Sequence, residues 1–288
     1  MKKTAKIYTA LIMLFLYAPI AVMIVFSFNS SSSLASLDGF SLKWYSELFK
    51  SEEVLTALYN TLVLAISSAA ISTVIGTAAA VGIDKMRSKK AKGLVLGVSN
   101  IPMMNPDIVT GIAMALLFTF AMKLLGLDSI FGFWTVLIAH ITFNLPYVIL
   151  SVLPRIKQMD RHLPEAAMDL GCTRWQSFFK VELPFIMPGV FSGFIMAFTL
   201  SLDDFVISYF NSEEFQTLPI VIYGMTKRTV TPDMYALSTL IFGTVFVLLV
   251  ISNAMQSRAD SKNDPFAQKK RANRASRLAK GAKEVRQK

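Results

Sequence analysis

Three carboxylates stand inside long apolar stretches of this sequence, where charged side chains are uncommon. Asp107 follows Asn105 and Pro106 in the middle of one stretch, and Asp203 and Asp204 are neighbours near the end of another. A carboxylate in the middle of a bilayer costs about 2.5 to 3.5 kcal/mol on insertion scales, so each needs a compensating partner. No Lys or Arg lies within these stretches. A permeating amine or metal ion would supply the missing positive charge.

The same three carboxylates also have structural interpretations. Asn105, Pro106 and Asp107 suit a helix start, with Asn105 as the cap, Pro106 at the first position and Asp107 near the positive end of the helix dipole. This pattern predicts a broken helix at membrane depth. Adjacent helical residues point about 100° apart, so either Asp203 or Asp204 can face a pathway while the other packs or caps. The pair also suits an outer boundary in water, or a protonated state.

The other reactive side chains of the chain are isolated. His140 lies in an apolar stretch with Asn144, and we predict a packed, hydrogen-bonded residue rather than a metal ligand. Cys172 is the single cysteine, so it forms no intrachain disulfide and is a weak nucleophile candidate. The chain contains no Gly-Lys dipeptide, so it lacks a phosphate-binding P-loop. We therefore predict no catalytic residue, metal site or cofactor in this chain.

The composition identifies the elements that carry these residues. The chain has 288 residues, of which 53% are hydrophobic and 17% charged, whereas a soluble domain is nearer a quarter charged. A water-soluble enzyme is therefore disfavoured. Six apolar stretches without Lys or Arg are each long enough to cross the hydrocarbon core of about 30 Å as a helix. They are residues 8–28, 58–83, 94–122, 129–153, 185–210 and 235–255. The predicted fold is an all-α, polytopic membrane protein with six transmembrane helices.

The distribution of basic residues predicts the orientation of these helices. If the N-terminus is cytoplasmic, the inner segments hold 24 of the 29 Lys and Arg residues and the outer segments hold 5. Cytoplasmic loops carry the excess of positive charge in membrane proteins. We expect a protein of the cell membrane with a cytoplasmic N-terminus (1–7), a transmembrane domain (8–257) and a cytoplasmic tail (258–288). The first stretch is too long for a signal peptide and has no clear cleavage site.

Small residues fill the second stretch, among them Ser68, Ser72, Gly76 and Ala80. Small side chains let helix backbones approach closely in lipid. We therefore expect this helix to lie inside the bundle.

The predicted inner loop between the fourth and fifth helices, residues 159–185, is unusually rich in helix signals. Pro164 is expected to start a short helix, and Gly171 suits the left-handed residue after its end. Thr173 is expected to cap a second helix that runs to Leu183, before Pro184. The second helix carries several aromatic residues, which suit a helix-in-groove contact with a partner protein. Alternatively, some of these rings pack beneath the membrane domain itself.

This loop resembles the EAA loop of ATP-binding-cassette (ABC) importer permeases. The residues that carry the resemblance are Glu165-Ala166-Ala167, Gly171, Phe179 and Leu183-Pro184. In that family the loop forms a coupling helix that seats in a cleft of the ATPase subunit. The resemblance implies that Glu165, Ala166, Ala167 and Gly171 are the centre of the ATPase contact. It also implies the six-helix core of type I importers for residues 8–255.

A narrower resemblance concerns the carboxylates. The segments 105–111 and 201–204 are similar to those in permeases of spermidine/putrescine importers of the PotC kind. Such systems combine two different permeases, two ATPase subunits that use ATP and Mg, and an extracytoplasmic substrate-binding protein. The resemblance implies that Asp107, Asp203 and Asp204 meet the ammonium groups of a polyamine.

The predicted function is that of a permease subunit that forms half of a translocation pathway for a cationic substrate, foremost a polyamine. Two alternatives stay open: an ABC permease for another small solute, and a self-sufficient, proton-coupled secondary transporter. No internal repeat supports the second alternative.

The C-terminal tail is chemically distinct from the rest of the chain. From Arg258 to Lys288 it holds eleven basic and three acidic residues, which supply +8 of the net charge of +10. It is almost without large apolar residues, so it cannot bury a core and is expected to be disordered. We expect contact with lipid headgroups rather than nucleic acid, because no aromatic residues are interleaved with the charges. We also expect transport to survive deletion of residues 259–288.

Overall fold

The computed structural model describes residues 2–31, 36–126, 131–227 and 232–263, and almost all of them are helical. Within these residues the β-structure is a single isolated bridge between Asn29 and Phe40. The helices are α1 (Lys2–Ser27), α2 (Lys43–Leu48), α3 (Glu52–Lys85), α4 (Lys89–Met104), α5 (Asp107–Leu125), α6 (Phe133–Gln158), α7 (His162–Asp169), α8 (Arg174–Ser177), a π-helix (Phe178–Glu182), α9 (Leu183–Asp203), α10 (Val206–Asn211), α11 (Leu218–Thr226) and α12 (Pro232–Asn263).

Six of these helical segments are long and apolar enough to cross a membrane. The predicted all-α fold with six spans is therefore confirmed. The segments are Thr4–Ser27, Glu52–Lys85, Asp107–Leu125, Phe133–Gln158, Arg174–Asp203 and Pro232–Ile251. The predicted tail begins within the end of α12, and its residues 264–288 lie outside the described part of the chain.

The centre of the bundle is formed by α3, α6 and α9. The small residues of α3 are buried there, which confirms that the second span is an inner helix. At Gly76 the approach is closest, because a Cβ atom at this position would lie 2.7 Å from Cγ1 of Val148 on α6. The three helices leave no room between them for a larger side chain at Gly76, so their relative positions are closely defined.

The third predicted span is divided by a break, as the Asn-Pro pair predicts. Helix α4 ends at Met104, and a new helix, α5, begins at Asp107. The expected capping detail was wrong: Asn105 is the C-cap of α4, and Pro106 occupies the N-cap position of α5, where its carbonyl accepts from the amide of Val109 at 2.9 Å. The backbone of Pro106 is itself extended, with a ψ of 137°, so the first helical residue is Asp107 rather than Pro106.

Candidate functional site

A second helix break lies at the carboxylate pair. Helix α9 ends at Asp203, the backbone of Asp204 is extended, and α10 begins at Val206. The α9–α10 break and the α4–α5 break both interrupt apolar helical sequence, and both carry carboxylates. Discontinuous membrane helices of this kind frame substrate sites in other transporters.

Packing between α5 and α10 brings the two breaks together. At Gly111, one turn into α5, an added Cβ atom would lie 3.3 Å from the carbonyl oxygen of Val206 on α10. The Asn211 side chain donates to the Gly111 carbonyl at 3.2 Å. Asn211 is itself anchored to α6, since Thr135 donates to its carbonyl at 2.8 Å. The first turns of α5 and α10 therefore run side by side, and their starting points share one region.

Asp107 and Asp203 are both exposed on the surface of the single chain at this junction. Each stands beside one of the two breaks, which the packing of α5 against α10 brings together. Asp107 stands in the first turn of α5, where the helix dipole stabilises a negative charge. Asp203 stands at the opposite end of a helix, the C-terminus of α9, where the dipole has the unfavourable sign.

Asp204 has a different environment from its neighbour, because its side chain is buried and fully engaged. One carboxylate oxygen accepts from the amide and the hydroxyl of Ser208, at 2.8 and 3.0 Å, and the other accepts from the amide of Ile207 at 3.3 Å. The Nε2 atom of His140 on α6 lies 3.3 Å from the same carboxylate. Asp204 thus accepts from the amides at the start of α10 and also contacts the imidazole of His140. The sequence analysis considered only Lys and Arg as partners for the carboxylates, so it missed this contact.

The buried polar residues around Asp204 form a band between α3, α6 and α9–α10. His140 is fully buried, as predicted, and its Nε2 atom also lies 3.0 Å from Ser208 Oγ. One turn away on α6, Asn144 donates to Ser201 at 2.8 Å, and Ser201 lies 2.9 Å from Ser68 on α3. The sequence analysis named Ser68 as a small packing residue and Ser201 within the segment 201–204, but it gave neither hydroxyl a hydrogen-bonding role. The only signal for them was their occurrence among apolar residues at helical spacing.

Aromatic side chains follow directly after the two carboxylates. The ring centroid of Phe205 lies 4.4 Å from that of Tyr223 on α11 and 5.3 Å from that of Tyr209 on α10. The Lys227 ammonium lies 4.5 Å from the centroid of Tyr223. The faces of aromatic rings attract ammonium groups, as the contact of Lys227 with Tyr223 shows. A cationic ligand would find both carboxylates and rings here.

The EAA loop (residues 159–185) contains the second set of predicted site residues. Its first helix, α7, begins at His162, two residues before the expected start at Pro164. Gly171 has a φ of +91°, which confirms the left-handed residue after this helix. The amide of Gly171 donates to Met168 and that of Cys172 to Ala167, at 2.9 and 3.1 Å, the pattern of a Schellman motif.

The second part of the EAA loop runs continuously into the membrane domain. Thr173 caps α8 as predicted, with its hydroxyl accepting from Gln176 N at 3.3 Å and its own amide donating to Gln176 Oε1 at 3.0 Å. The expected end of this helix before Pro184 was wrong. Proline cannot donate to the carbonyl four residues earlier, and a wider π-helical turn at 178–182 lets the chain pass into α9 without ending.

Contacts on both sides fix α7 relative to the bundle. Ser177 on α8 donates to the Pro164 carbonyl at 3.1 Å. Glu182 in the π-helix accepts from Lys85, at the end of α3, through both of its oxygens at 3.1 and 3.2 Å. The EAA loop is thereby tied to itself and to the bundle, so that a force on α7 reaches α3 and α9.

The outer face of the EAA loop is apolar and exposed in the single chain. Leu170 is 88% and Trp175 74% exposed, and the Trp175 and Phe179 rings lie 6.4 Å apart, nearly parallel. Glu165 and Ala166 are exposed as well, whereas Ala167 is half-buried. Large apolar side chains in this arrangement mark a surface that a partner covers.

The chain matches a protein family over residues 72–263, and the family is described as binding-protein-dependent transport system inner membrane components. It is 39% identical over 251 residues to the spermidine/putrescine transport system permease protein PotC of Escherichia coli strain K12, covering 87% of this chain and 92% of the relative. It is 36% identical over 250 residues to the putrescine transport system permease protein PotI of the same strain, covering 86% and 89%.

Solved structures share the same fold. A chain of a bacterial ABC transporter involved in the import of the acidic polysaccharide alginate superposes with a TM-score of 0.65 at 18% identity, covering 91% of this chain and 96% of its own. A chain of the methionine ABC transporter MetNI superposes with a TM-score of 0.57 at 18% identity, covering 73% and 99%.

Proposed function

This chain belongs to the family of binding-protein-dependent transport system inner membrane components, and we propose that it is the permease subunit of an ABC importer for polyamines. The proposal transfers to this chain the substrates named for PotC and PotI, which are related to it over most of its length. It is an inner-membrane protein that forms half of the translocation pathway. A second, homologous permease supplies the other half, and an extracytoplasmic binding protein delivers the substrate.

The observation that carries the polyamine proposal is the junction of the two helix breaks. Asp107 and Asp203 are exposed at these two breaks, which the packing of α5 against α10 brings together, and no basic side chain is paired with either in the described residues. Two carboxylates without a cation of their own offer a bound ammonium group charge-assisted contacts. The rings beyond them provide further positions for an alkylammonium chain. A diamine or triamine matches this succession of carboxylates and rings.

The energy for transport comes from two ATPase subunits, which bind ATP and Mg; the permease itself binds no cofactor. The exposed apolar face of the EAA loop is the docking surface, with Glu165, Ala166, Ala167 and Gly171 at its centre. Closure of the ATPase subunits moves α7, and the ties through Ser177 and Glu182 carry that movement to α3 and α9. The spans then rock between outward-open and inward-open states.

This mechanism requires the EAA loop and both termini to lie on the cytoplasmic side. The excess of Lys and Arg in the predicted inner segments supports that orientation. The basic tail then lies next to the inner leaflet, where each basic residue near an anionic surface contributes about 1 kcal/mol. Cysteine accessibility at Leu37 and at Leu170 measures the orientation, since these residues fall on opposite sides.

Uptake of labelled putrescine and spermidine by the assembled system tests the substrate. Asp107→Asn and Asp203→Asn should each raise KM by about tenfold to a hundredfold, since a charge-assisted contact contributes roughly 1.5 to 3 kcal/mol. Glu53→Gln, an exposed carboxylate in the first turn of α3, is the matched control and should leave KM unchanged. If neither aspartate variant alters uptake, the carboxylate site is wrong.

Co-purification tests the ABC mechanism itself. The permease should bring an ATPase subunit through purification, and Glu165→Ala should weaken that association. Substrate transport by the isolated chain, without any ATPase, would instead establish a secondary transporter and overturn the proposal.

A further inference from the structure

The neighbouring carboxylates Asp203 and Asp204 differ in what holds them. Asp204 is contacted by its own helix, α10, and by one residue from another part of the chain, His140 on α6. Asp203 has no side-chain partner within the described residues and is exposed. Whether Asp203 or Asp204 is the exposed carboxylate therefore depends on the contacts that hold the Asp204 side chain inside the bundle.

The contacts within α10 cannot set that orientation relative to the bundle. The amides of Ile207 and Ser208 belong to the same short helix as the turn that they cap, so they move together with Asp204. His140 lies on α6, whose neighbouring residues Ala139, Phe143 and Asn144 are buried in the bundle. Its contact with Asp204 therefore ties the break to α6, while Thr135 ties the far end of α10 to the same helix.

We infer that His140 is a positioning residue for transport: by holding Asp204 and Ser208 against α6, it fixes the α9–α10 break so that Asp203 faces the substrate. His140 touches no substrate in this arrangement. The inference rests on the proposed function for the role of Asp203, but the geometry that it describes can be measured without any substrate.

The imidazole also explains why a carboxylate with no Lys or Arg nearby is stable at this depth. Its Nε2 atom lies 3.3 Å from the Asp204 carboxylate and 3.0 Å from Ser208 Oγ, so a proton on Nε2 gives this pair a donor from outside α10. A buried carboxylate with a missing donor is costly, so removing the imidazole favours a rotated break in which Asp204 reaches water. That movement displaces Asp203 at the same time, because Asp203 is the last residue of α9 and is bonded directly to Asp204.

A cysteine at position 203 reports this orientation directly. Cys172 is the only cysteine, so the Cys172→Ser variant is a cysteine-free background. In the assembled transporter carrying Asp203→Cys, a cationic methanethiosulfonate reagent should label the new thiol, and His140→Leu should slow the labelling at least threefold. His140→Gln should retain the wild-type rate, because its amide nitrogen reaches the position of Nε2. An equal rate in the wild-type and Leu backgrounds overturns the inference.

Two further measurements separate positioning from general stability. Ser208→Ala removes the hydroxyl that contacts both His140 and Asp204, and it replaces His140→Leu if that variant fails to assemble. It should also slow the labelling of Asp203→Cys. An unchanged labelling rate counts against the inference. In uptake assays, His140→Leu should raise KM with little change in maximal rate. Combined with Asp203→Asn it should add no further increase in KM, whereas additive effects would show an independent structural role and overturn the inference.

The two proposals fail in different experiments. If Asp203→Asn leaves uptake unchanged, the substrate contact in the proposed function is wrong, and the labelling rates still decide whether His140 orients the break. If the labelling rates do not respond to His140, the positioning role is wrong while the substrate contact stands.

Discussion

The Lys85 ammonium lies 3.1 and 3.2 Å from the two carboxylate oxygens of Glu182, residues that are 97 positions apart in the sequence. The pair joins the last turn of α3 to the π-helix of the EAA loop. Glu182 is largely buried, whereas the Lys85 side chain is 61% exposed. A movement of α7 can therefore reach the end of α3 through this ion pair, in addition to the continuous chain into α9.

Lys85→Met should uncouple ATP hydrolysis from transport. The substitution leaves a buried carboxylate without its cation, and we expect a loss of about 1 to 2 kcal/mol because solvent already screens the lysine. The ratio of ATP hydrolysed to substrate transported should rise, and the melting temperature of the purified complex should fall. Lys43→Met, at the exposed Lys43–Glu47 pair, is the control and should change neither. The same ratio in both variants would refute a coupling role for the pair.

Gly171→Ala should weaken ATPase association through backbone strain alone. A Cβ atom at Gly171 would meet nothing within 4 Å, but a φ of +91° costs an L-residue about 1 to 2 kcal/mol. The end of α7 should shift, and the amount of co-purified ATPase should fall. Gly171→Asn should be milder, because asparagine tolerates left-handed backbone better.

Gly126→Ala is the matched control for this experiment. Gly126 also has a positive φ and open space around it, but it lies after α5, away from the EAA loop. It should lower stability without affecting ATPase association. A similar loss of ATPase in both variants would attribute the effect to general destabilisation.

Gly76→Ala should destabilise the bundle by overpacking. The new methyl group would lie 2.7 and 2.8 Å from Cγ1 and Cβ of Val148, and such clashes cost about 1 to 3 kcal/mol. Thermal unfolding in detergent measures the loss, and Val148→Ala in the same chain should restore part of it. Gly82→Ala, also on α3 but in open space, should be neutral or slightly stabilising, and equal losses at both positions would contradict the packing explanation.

Trp175→Ala should lower the affinity for the ATPase by about thirtyfold or more, since buried aromatic anchors at interfaces are worth roughly 2 kcal/mol or more. Titration of the purified ATPase against the reconstituted permease measures this affinity. Leu37→Ala removes an equally exposed apolar side chain from a different loop and should have no effect. An unchanged affinity in Trp175→Ala would exclude this face of the EAA loop as the docking surface.

Deletion of residues 259–288 should leave uptake intact, because the contacts described for the two breaks and for the EAA loop all join residues that precede this segment. The deletion should reduce binding of the permease to anionic vesicles, most visibly at low salt, where surface charges are least screened. Vesicle co-flotation and uptake are measured on the same preparation. Loss of uptake would assign the tail a role in transport.

The sequence alone predicted those features that depend on local chemistry. Hydropathy determined the number of spans, because each must cover its backbone polar groups within a helix of sufficient length. The Asn105-Pro106 pair determined the break before α5, since proline restricts its neighbour and lacks an amide hydrogen. Gly171 determined the left-handed turn after α7. Each of these features depends on residues within one or two helical turns.

Only the tertiary structure decided how residues from distant segments combine. Asp203 and Asp204 are chemically identical neighbours, and what separates them is His140, which lies 64 residues before Asp204 and is brought to it by the packing of α6. Likewise, Pro184 predicted a helix end, but a π-helical turn anchored by Glu182 to Lys85 carried the helix through it. Contacts between segments far apart in the chain leave no periodic signal in the sequence, so only the packed helices decide which of the two carboxylates is exposed and which is buried.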